Sequence, residues 1–73
     1  MAKILIIDDD EMFCSLLLSA IQREGYDVQC AYTLQNGLDK VRTDAFDVVF
    51  LDVNLPDGNG LDRLADIREA PSL

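Results

Sequence analysis

The sequence predicts an α/β fold in which a parallel β-sheet carries helices on both of its faces. Strand-like and helix-like segments alternate along the 73 residues in the order βαβαβα, and such alternation is typical of parallel strands joined by right-handed crossovers. Two apolar runs, in Lys3–Ile7 and residues 47–51, end abruptly at Asp residues, which is typical of buried strands that meet a polar site. We therefore expect one small domain over residues 1–73.

The first two elements are a strand at Lys3–Ile7 and a helix over residues 11–24. The strand is a continuous apolar run, and the helix follows from apolar residues that recur at a spacing of three or four. Asp10 precedes this pattern as a candidate N-cap, and Gly25 follows it as the C-cap. The apolar residues of the helix are Phe13, Leu16, Leu17, Ala20 and Ile21.

The middle of the chain repeats this alternation. A shorter strand is predicted at residues 28–31, followed by a helix over residues 34–42 with Thr33 as its N-cap. Gly37 lies inside that helix and lowers its intrinsic propensity. Residues 47–51 then form the third strand, which ends at an Asp as the first strand does.

A loop and one more helix follow the third strand. Pro56, Gly58 and Gly60 indicate an irregular loop, and Asn59 can cap the helix after it. Pro71 would end that helix, because proline lacks the N–H group that a helix interior requires. The apolar stripe of this helix would comprise Leu61, Leu64, Ile67 and Ala65.

The composition limits the classes of partner. Six Lys and Arg residues stand against 14 Asp and Glu, for a formal charge of -8, so direct binding to nucleic acid or anionic membranes is not expected. Cys14 and Cys30 lack a neighbouring His or Cys at metal-binding spacing, and we expect buried free thiols. No apolar run is long enough to span a bilayer, and a cytoplasmic location is expected.

Three carboxylates are predicted to meet at one edge of the sheet. Asp8 and Asp9 end the first strand and Asp52 ends the third, and in a sheet of strand order 2-1-3 the ligand crevice lies between the carboxyl ends of these strands. Ionised carboxylates at close range repel one another unless a cation offsets their charge. An all-oxygen donor set without His or thiolate favours a hard ion, and we expect Mg²⁺ with several retained waters.

Asp52 is the expected nucleophile of this site. An Asp beside Mg²⁺ can attack a phosphoryl group and form an aspartyl phosphate. Asp52 stands alone at its strand end, whereas Asp8 and Asp9 are adjacent and better arranged to hold the ion. Asp10 is expected to serve only as a helix cap.

The segments KILIIDDDE and VVFLDVNLPDGNGL resemble the response-regulator receiver domain of the CheY-like family. The resemblance implies a flavodoxin-like, doubly wound sheet. It also implies that Asp8 and Asp9 are the acidic pair, that Asp52 is the phosphorylated residue, and that the main-chain carbonyl of Asn54 binds Mg²⁺. The matching loop residues are Pro56 and Gly60.

The resemblance runs from Lys3 to about Ala70, and it implies further parts and partners. The fourth and fifth strands of the family, with their Ser or Thr and their Lys, would lie beyond Leu73, and neither Lys3 nor Lys40 is placed to replace that Lys. A sensor histidine kinase would donate the phosphoryl group, and an output domain, expected to control transcription, would follow the receiver. Such a domain is a phosphoacceptor and not a turnover enzyme.

Two other functions stay open at this point. The segment ILIIDDDEM approaches the opening motif of haloacid-dehalogenase phosphatases, in which Asp8 would be the nucleophile and Asp10 the acid-base, although Met12 replaces the small Thr or Val. The chain could also be an interaction module that kept a receiver fold and lost its phosphorylation. Labelled phosphate would distinguish the first of these by its position on Asp8 or Asp52.

The third strand should have a bare outer edge. It is expected to pair with the first strand on one side only, and apolar surface on the first and third helices should then be exposed. We expect the 73-residue chain to self-associate through this edge.

Overall fold

The computed structural model describes residues 2–68 and contains the predicted three-stranded parallel sheet. Its strands are β1 (Lys3–Ile7), β2 (Asp27–Ala31) and β3 (Val48–Leu51). They lie in the order β2-β1-β3 and are parallel throughout. The predicted strand order 2-1-3 is therefore confirmed.

Three α-helices connect or follow these strands: α1 (Glu11–Arg23), α2 (Leu34–Thr43) and α3 (Leu64–Arg68). Asp10 accepts a hydrogen bond from the Phe13 N–H at 3.0 Å, which confirms it as the N-cap of α1. The Thr33 hydroxyl oxygen likewise accepts the Asn36 N–H at 3.1 Å at the start of α2. No helix within residues 2–68 has the length and apolar character of a membrane span.

Strand β1 divides the core into two halves, because successive side chains of a strand point to opposite faces of the sheet. Ile4 and Ile6 pack with Cys14 of α1 on one face. Leu5 and Ile7 pack on the other face against α2 and against Ile67 of α3. Helices therefore cover both faces of the sheet, as the alternating pattern predicts.

The loop after β3 is more regular than the sequence indicates. Instead of an irregular loop, β4 (Asn54–Leu55) and β5 (Gly58–Asn59) form an antiparallel hairpin closed by Pro56 and Asp57. Proline at the second and glycine at the fourth position of a turn favour such a tight reversal. A 3-10 helix, Gly60–Arg63, then leads into α3, and Asn59 caps it by accepting the Leu61 N–H at 2.8 Å.

Some further expectations need correction or fall outside the described residues. Glu24 is the C-cap of α1, and Gly25 follows it with a φ of 92°, a conformation that glycine adopts without a steric penalty. The predicted apolar stripe after the hairpin is covered only in part, because Ile67 is buried in the core whereas Leu61 and Ala65 are exposed. On α1, Phe13 and Leu16 are exposed, as expected. Cys30 is free as expected but only partly buried. The Leu64 side chain and Pro71 lie outside the described part of the chain.

Candidate functional site

The pairing of β1 with β3 brings the residues after both strands to one edge of the sheet. Ile7 lies opposite Leu51 in the register, and the Asp52 N–H donates to the Ile7 carbonyl at 2.9 Å. On the other side of β1, the Asp8 N–H donates to the Ala31 carbonyl at 3.0 Å. These bonds continue the ladders by one residue, so the backbones of Asp8 and Asp52 are held by the sheet itself.

The side chains of Asp8, Asp9 and Asp52 form an acidic cluster at this edge. Each offers one carboxylate oxygen, and these oxygens lie within 4.8 Å of one another. Asp8 and Asp52 are partly buried, whereas Asp9 is exposed. The structure thus brings together the three carboxylates that the sequence places at the strand ends. Their roles as metal ligands and phosphoacceptor stay predictions.

Two lysines that could offset this negative charge have partners elsewhere. Lys3 lies at the opposite end of β1, where its Nζ is 3.7 Å from a carboxylate oxygen of Asp44 and 5.2 Å from the centre of the Phe46 ring. Lys40 donates to the side-chain oxygen of Gln29 at 3.1 Å. The cluster combines like charges with oxygen donors only, and this donor set fits a hard divalent cation such as Mg²⁺.

Main-chain N–H groups orient two of the three carboxylates. Asp8 Oδ1 accepts the Asp10 N–H at 3.0 Å, and Asp52 Oδ1 accepts the Asn54 N–H at 3.3 Å. The Asp10 carboxylate instead caps α1 and lies outside the acidic cluster. An acid-base role for Asp10, which the phosphatase alternative requires, therefore has no support in the geometry.

The hairpin after Asp52 is packed closely against the end of β3. The Gly60 N–H donates to the Val53 carbonyl at 2.8 Å, and a Cβ atom at Gly60 would overlap the main-chain carbonyl of Asp52 and press on the Leu51 side chain. Glycine is required here by a close approach of backbones. The sequence resemblance marks Gly60 as a loop residue, and the structure gives the physical reason.

Asp57 has a role that the sequence did not reveal. Its two carboxylate oxygens accept the N–H groups of Leu34 and Gln35 at 2.8 and 2.9 Å, in the first turn of α2. These N–H groups, of Gln35 first and then of Leu34, lower the pKa of the Asp57 carboxyl below its usual value. The sequence held one signal for this contact. An acidic residue stands in a Pro-Asp-Gly turn, and helix α2 has no acidic residue of its own in its first turn.

The two thiols lie beside the site but outside the acidic cluster. Cys14 Sγ donates to the main-chain carbonyl of Asp8 at 3.4 Å, and Cys30 Sγ donates to the Cys14 carbonyl at 3.7 Å. Burial, with the nearby Cys30 thiol second, raises the pKa of Cys14 to about 12. Neither thiol belongs to the group of side chains that meet at the cluster, so its donor set is all-oxygen.

Comparison with known proteins agrees with this geometry. A sequence model of the response regulator receiver domain matches residues 4–73. The CheY-like receiver domain protein of Methanospirillum hungatei JF-1 is 31% identical with a TM-score of 0.93, and the match covers 97% of this chain and 57% of that one. The response regulator TrrA of Thermotoga maritima, solved with Mg²⁺ and BeF, is 32% identical with a TM-score of 0.88. The match covers 97% of this chain and 62% of that one.

A third similar structure contains a response regulator bound to a kinase. It is the complex of histidine kinase ThkA with TrrA, to which this chain is 33% identical with a TM-score of 0.87, covering 94% of this chain and 60% of that one. The chain thus spans 57–62% of the length of these three solved chains.

Proposed function

The chain belongs to the response regulator receiver domain family, and from this premise we propose that Asp52 accepts a phosphoryl group from a sensor histidine kinase in a Mg²⁺-dependent reaction. The observation that carries the proposal is the acidic cluster, in which the oxygens of Asp8, Asp9 and Asp52 lie within 4.8 Å of one another. A family match alone leaves the chemistry of the site open, because a fold can persist after its function is lost.

The residues divide into ligands and nucleophile. Asp8, Asp9 and Asp52 would hold Mg²⁺ together with the main-chain carbonyl of Asn54. When bound, Mg²⁺ offsets negative charge on the transferring phosphoryl oxygens and orients the donor. Asp52 is the nucleophile because it stands alone at the end of β3, whereas Asp8 and Asp9 are adjacent and better arranged to hold the ion. One oxygen of the Asp52 carboxylate accepts the Asn54 N–H, and the other is the attacking atom.

In the proposed step, the free oxygen of the Asp52 carboxylate forms a bond to phosphorus. The bond between that phosphorus and the imidazole nitrogen of a phosphohistidine breaks, and the nitrogen keeps the electron pair and takes up a proton. Asp52 then carries a mixed anhydride, and no oxidation or reduction takes place. The chain is consumed stoichiometrically by this reaction, so its role is that of a phosphoacceptor rather than of a turnover enzyme.

The proposed setting is a two-component signalling pathway. The response regulator TrrA binds the histidine kinase ThkA in the solved complex, and we extend a kinase partner of that class to this chain. An output domain in the same protein, controlling transcription, and a cytoplasmic location complete the proposal. The formal charge of -8 makes this segment unsuited to contact nucleic acid directly.

The test is phosphorylation of the full-length protein with acetyl phosphate and Mg²⁺. Borohydride reduces an aspartyl phosphate to homoserine with release of phosphate, and peptide mapping then locates the homoserine. We expect it at residue 52 in the wild type and nowhere in Asp52→Asn. Homoserine at residue 8 would support the phosphatase alternative, and no homoserine at all would support an interaction module.

Asp62→Asn is the matched control for this test. Asp62 is exposed and lies ten positions further along the chain, in the 3-10 helix, and its substitution removes one carboxylate without altering the acidic cluster. It should leave the phosphorylation of Asp52 unchanged. Chelation of Mg²⁺ should abolish phosphorylation in both the wild type and this control.

A further inference from the structure

The carboxylate of Asp57 joins the hairpin β4–β5 to the first turn of α2. It accepts the N–H groups of both Leu34 and Gln35, which are 23 and 22 positions away along the chain. The first N–H groups of an α-helix have no partner within the helix, and the third of them, that of Asn36, is taken by the Thr33 side chain. The N-terminus of α2 therefore has two acceptors, one local and one from the hairpin.

Apolar contacts bring the same two elements together. Leu55 of β4 and Leu34 of α2 are buried in one core cluster, and a Cβ atom on Gly58 would lie 3.1 Å from the Leu34 side chain. These contacts fix the distance of the hairpin from α2, but apolar contacts are not directional. Hydrogen bonds to two successive N–H groups fix the orientation of the turn as well.

The orientation of the hairpin bears on the acidic cluster because the hairpin begins two residues after Asp52. Its first residue, Asn54, donates its N–H to Asp52 Oδ1 and supplies the main-chain carbonyl assigned to Mg²⁺ above. We propose that Asp57 is a positioning residue, which holds the hairpin against α2 so that the Asn54 main chain is kept in place for Mg²⁺ binding at Asp8, Asp9 and Asp52. This inference rests on the proposed function.

The experiment is a Mg²⁺ titration of the full-length protein and its variants. The amide signals of Asp8, Asp9 and Asp52 are followed by NMR, because they report on the acidic cluster residue by residue. Loss of a group that orients a metal ligand typically weakens binding by about tenfold or more. We expect Asp57→Ala to raise the dissociation constant for Mg²⁺ roughly tenfold, and Asp57→Asn, which keeps one acceptor oxygen, to raise it less.

A second readout separates positioning from a direct role in phosphoryl transfer. With acetyl phosphate as donor, Asp57→Ala should raise the Mg²⁺ concentration that gives half the maximal rate, while the rate at saturating Mg²⁺ stays within about twofold of the wild type, because the nucleophile itself is intact. A reduced limiting rate with unchanged half-saturation would overturn the proposal, because it would place Asp57 in the transfer step.

Thr33→Val is the matched control for a merely structural effect. It removes the other acceptor at the N-terminus of α2 and leaves the hairpin bonded to Asp57. We expect it to weaken α2 without changing Mg²⁺ affinity. Equal Mg²⁺ affinity in the wild type and Asp57→Ala, or equal losses in Asp57→Ala and Thr33→Val, would overturn the inference.

The outcomes also distinguish this inference from the proposed function. If the wild type binds Mg²⁺ at the acidic cluster and Asp57→Ala binds it equally well, the inference alone fails. If the wild type shows no saturable shift at these residues, the proposed metal role fails and the inference with it. Should Asp57→Ala not fold, Asp57→Asn supplies the comparison with the same criteria.

Discussion

Gly60 lies so close to the main-chain carbonyl of Asp52 that no Cβ atom fits between them. Gly60→Ala should therefore displace the end of β3 or the start of the 3-10 helix, at a cost of about 1–3 kcal/mol in the free energy of unfolding. Because Asp52 lies at this contact, we also expect a slower phosphorylation by acetyl phosphate. Urea denaturation and the phosphorylation rate of the full-length protein measure the two effects.

Gly25→Ala provides the control for a general loss of stability. Gly25 has a φ of 92°, and a Cβ atom there would meet no atom within 4 Å. The substitution should cost about 1–2 kcal/mol through backbone strain alone and leave the phosphorylation rate unchanged. Equal losses of rate in both variants would show that the rate follows global stability and not the position of Asp52.

Mg²⁺ should stabilise the protein, and Asp9→Asn should reduce this gain. At about 100 times its dissociation constant, a ligand of the native state adds about 2.7 kcal/mol to the free energy of unfolding. Without Mg²⁺, Asp9→Asn should leave stability unchanged or raise it, because it removes one of three like charges. Thermal unfolding of the wild type and Asp9→Asn, measured with Mg²⁺ and with a chelator at constant ionic strength, tests both expectations. The same Mg²⁺ gain in both proteins would exclude Asp9 as a ligand.

Gly37 is the glycine inside α2, and Gly37→Ala should destabilise the protein although alanine favours helices. A Cβ atom there would overlap the side chain of Ile7, which is fully buried. Overpacking costs about 1–3 kcal/mol and the gain in helix propensity is about 1 kcal/mol, so we expect a net loss of about 1 kcal/mol. Asn36→Ala, at an exposed position of α2, should be neutral or slightly stabilising. A stabilised Gly37→Ala would mean that Ile7 can move aside.

These positions show which features could be predicted from the sequence. The acidic cluster was predictable because Asp8 and Asp52 directly follow apolar strands, and parallel strands carry their carboxyl ends to the same edge. The caps at Asp10 and Thr33 were predictable because capping is local. Such features depend on residues that are near one another along the chain.

The features that escaped prediction depend on contacts between distant segments. The carboxylate of Asp57 accepts hydrogen bonds from α2, more than 20 positions away along the chain. A residue without a Cβ atom is needed at Gly37 because the Ile7 side chain, which belongs to β1, lies against it. Ile67 belongs to an apolar stripe that was expected to be exposed, but the core formed by β1 and α2 covers it, whereas Leu61 of the same stripe is exposed. Periodicity reports that a residue faces something apolar, and it does not report which segment supplies the partner.

The Cys14 thiol should be unreactive in the native protein and should make stability depend on alkaline pH. Burial raises its pKa from 9.0 to about 12, so the native state keeps its proton over a range in which the unfolded state loses it. The stabilising contribution is complete below pH 9.0 and is lost as the pH rises toward about 12. We expect the free energy of unfolding of the wild type, relative to that of Cys14→Ala, to fall over this interval. A constant difference would show that Cys14 ionises equally in both states.

The outer edge of β3 should drive self-association of the 73-residue polypeptide. Within residues 2–68, β3 pairs with β1 only, and Val48 and Phe50 are 42% and 48% exposed on the face opposite Val49 and Leu51. An unpaired strand edge is a template for another chain, and each Å² of apolar surface that association buries contributes about 25 cal/mol. Sedimentation equilibrium at tens of micromolar should therefore show dimers or larger species.

Phe50→Lys should shift this equilibrium toward monomer, because a charge beside the edge opposes strand pairing. The matched control is Leu61→Lys, which places the same charge on the exposed 3-10 helix. It should leave the equilibrium unchanged. A wild-type monomer whose melting temperature is independent of concentration would show that the edge is tolerated in water.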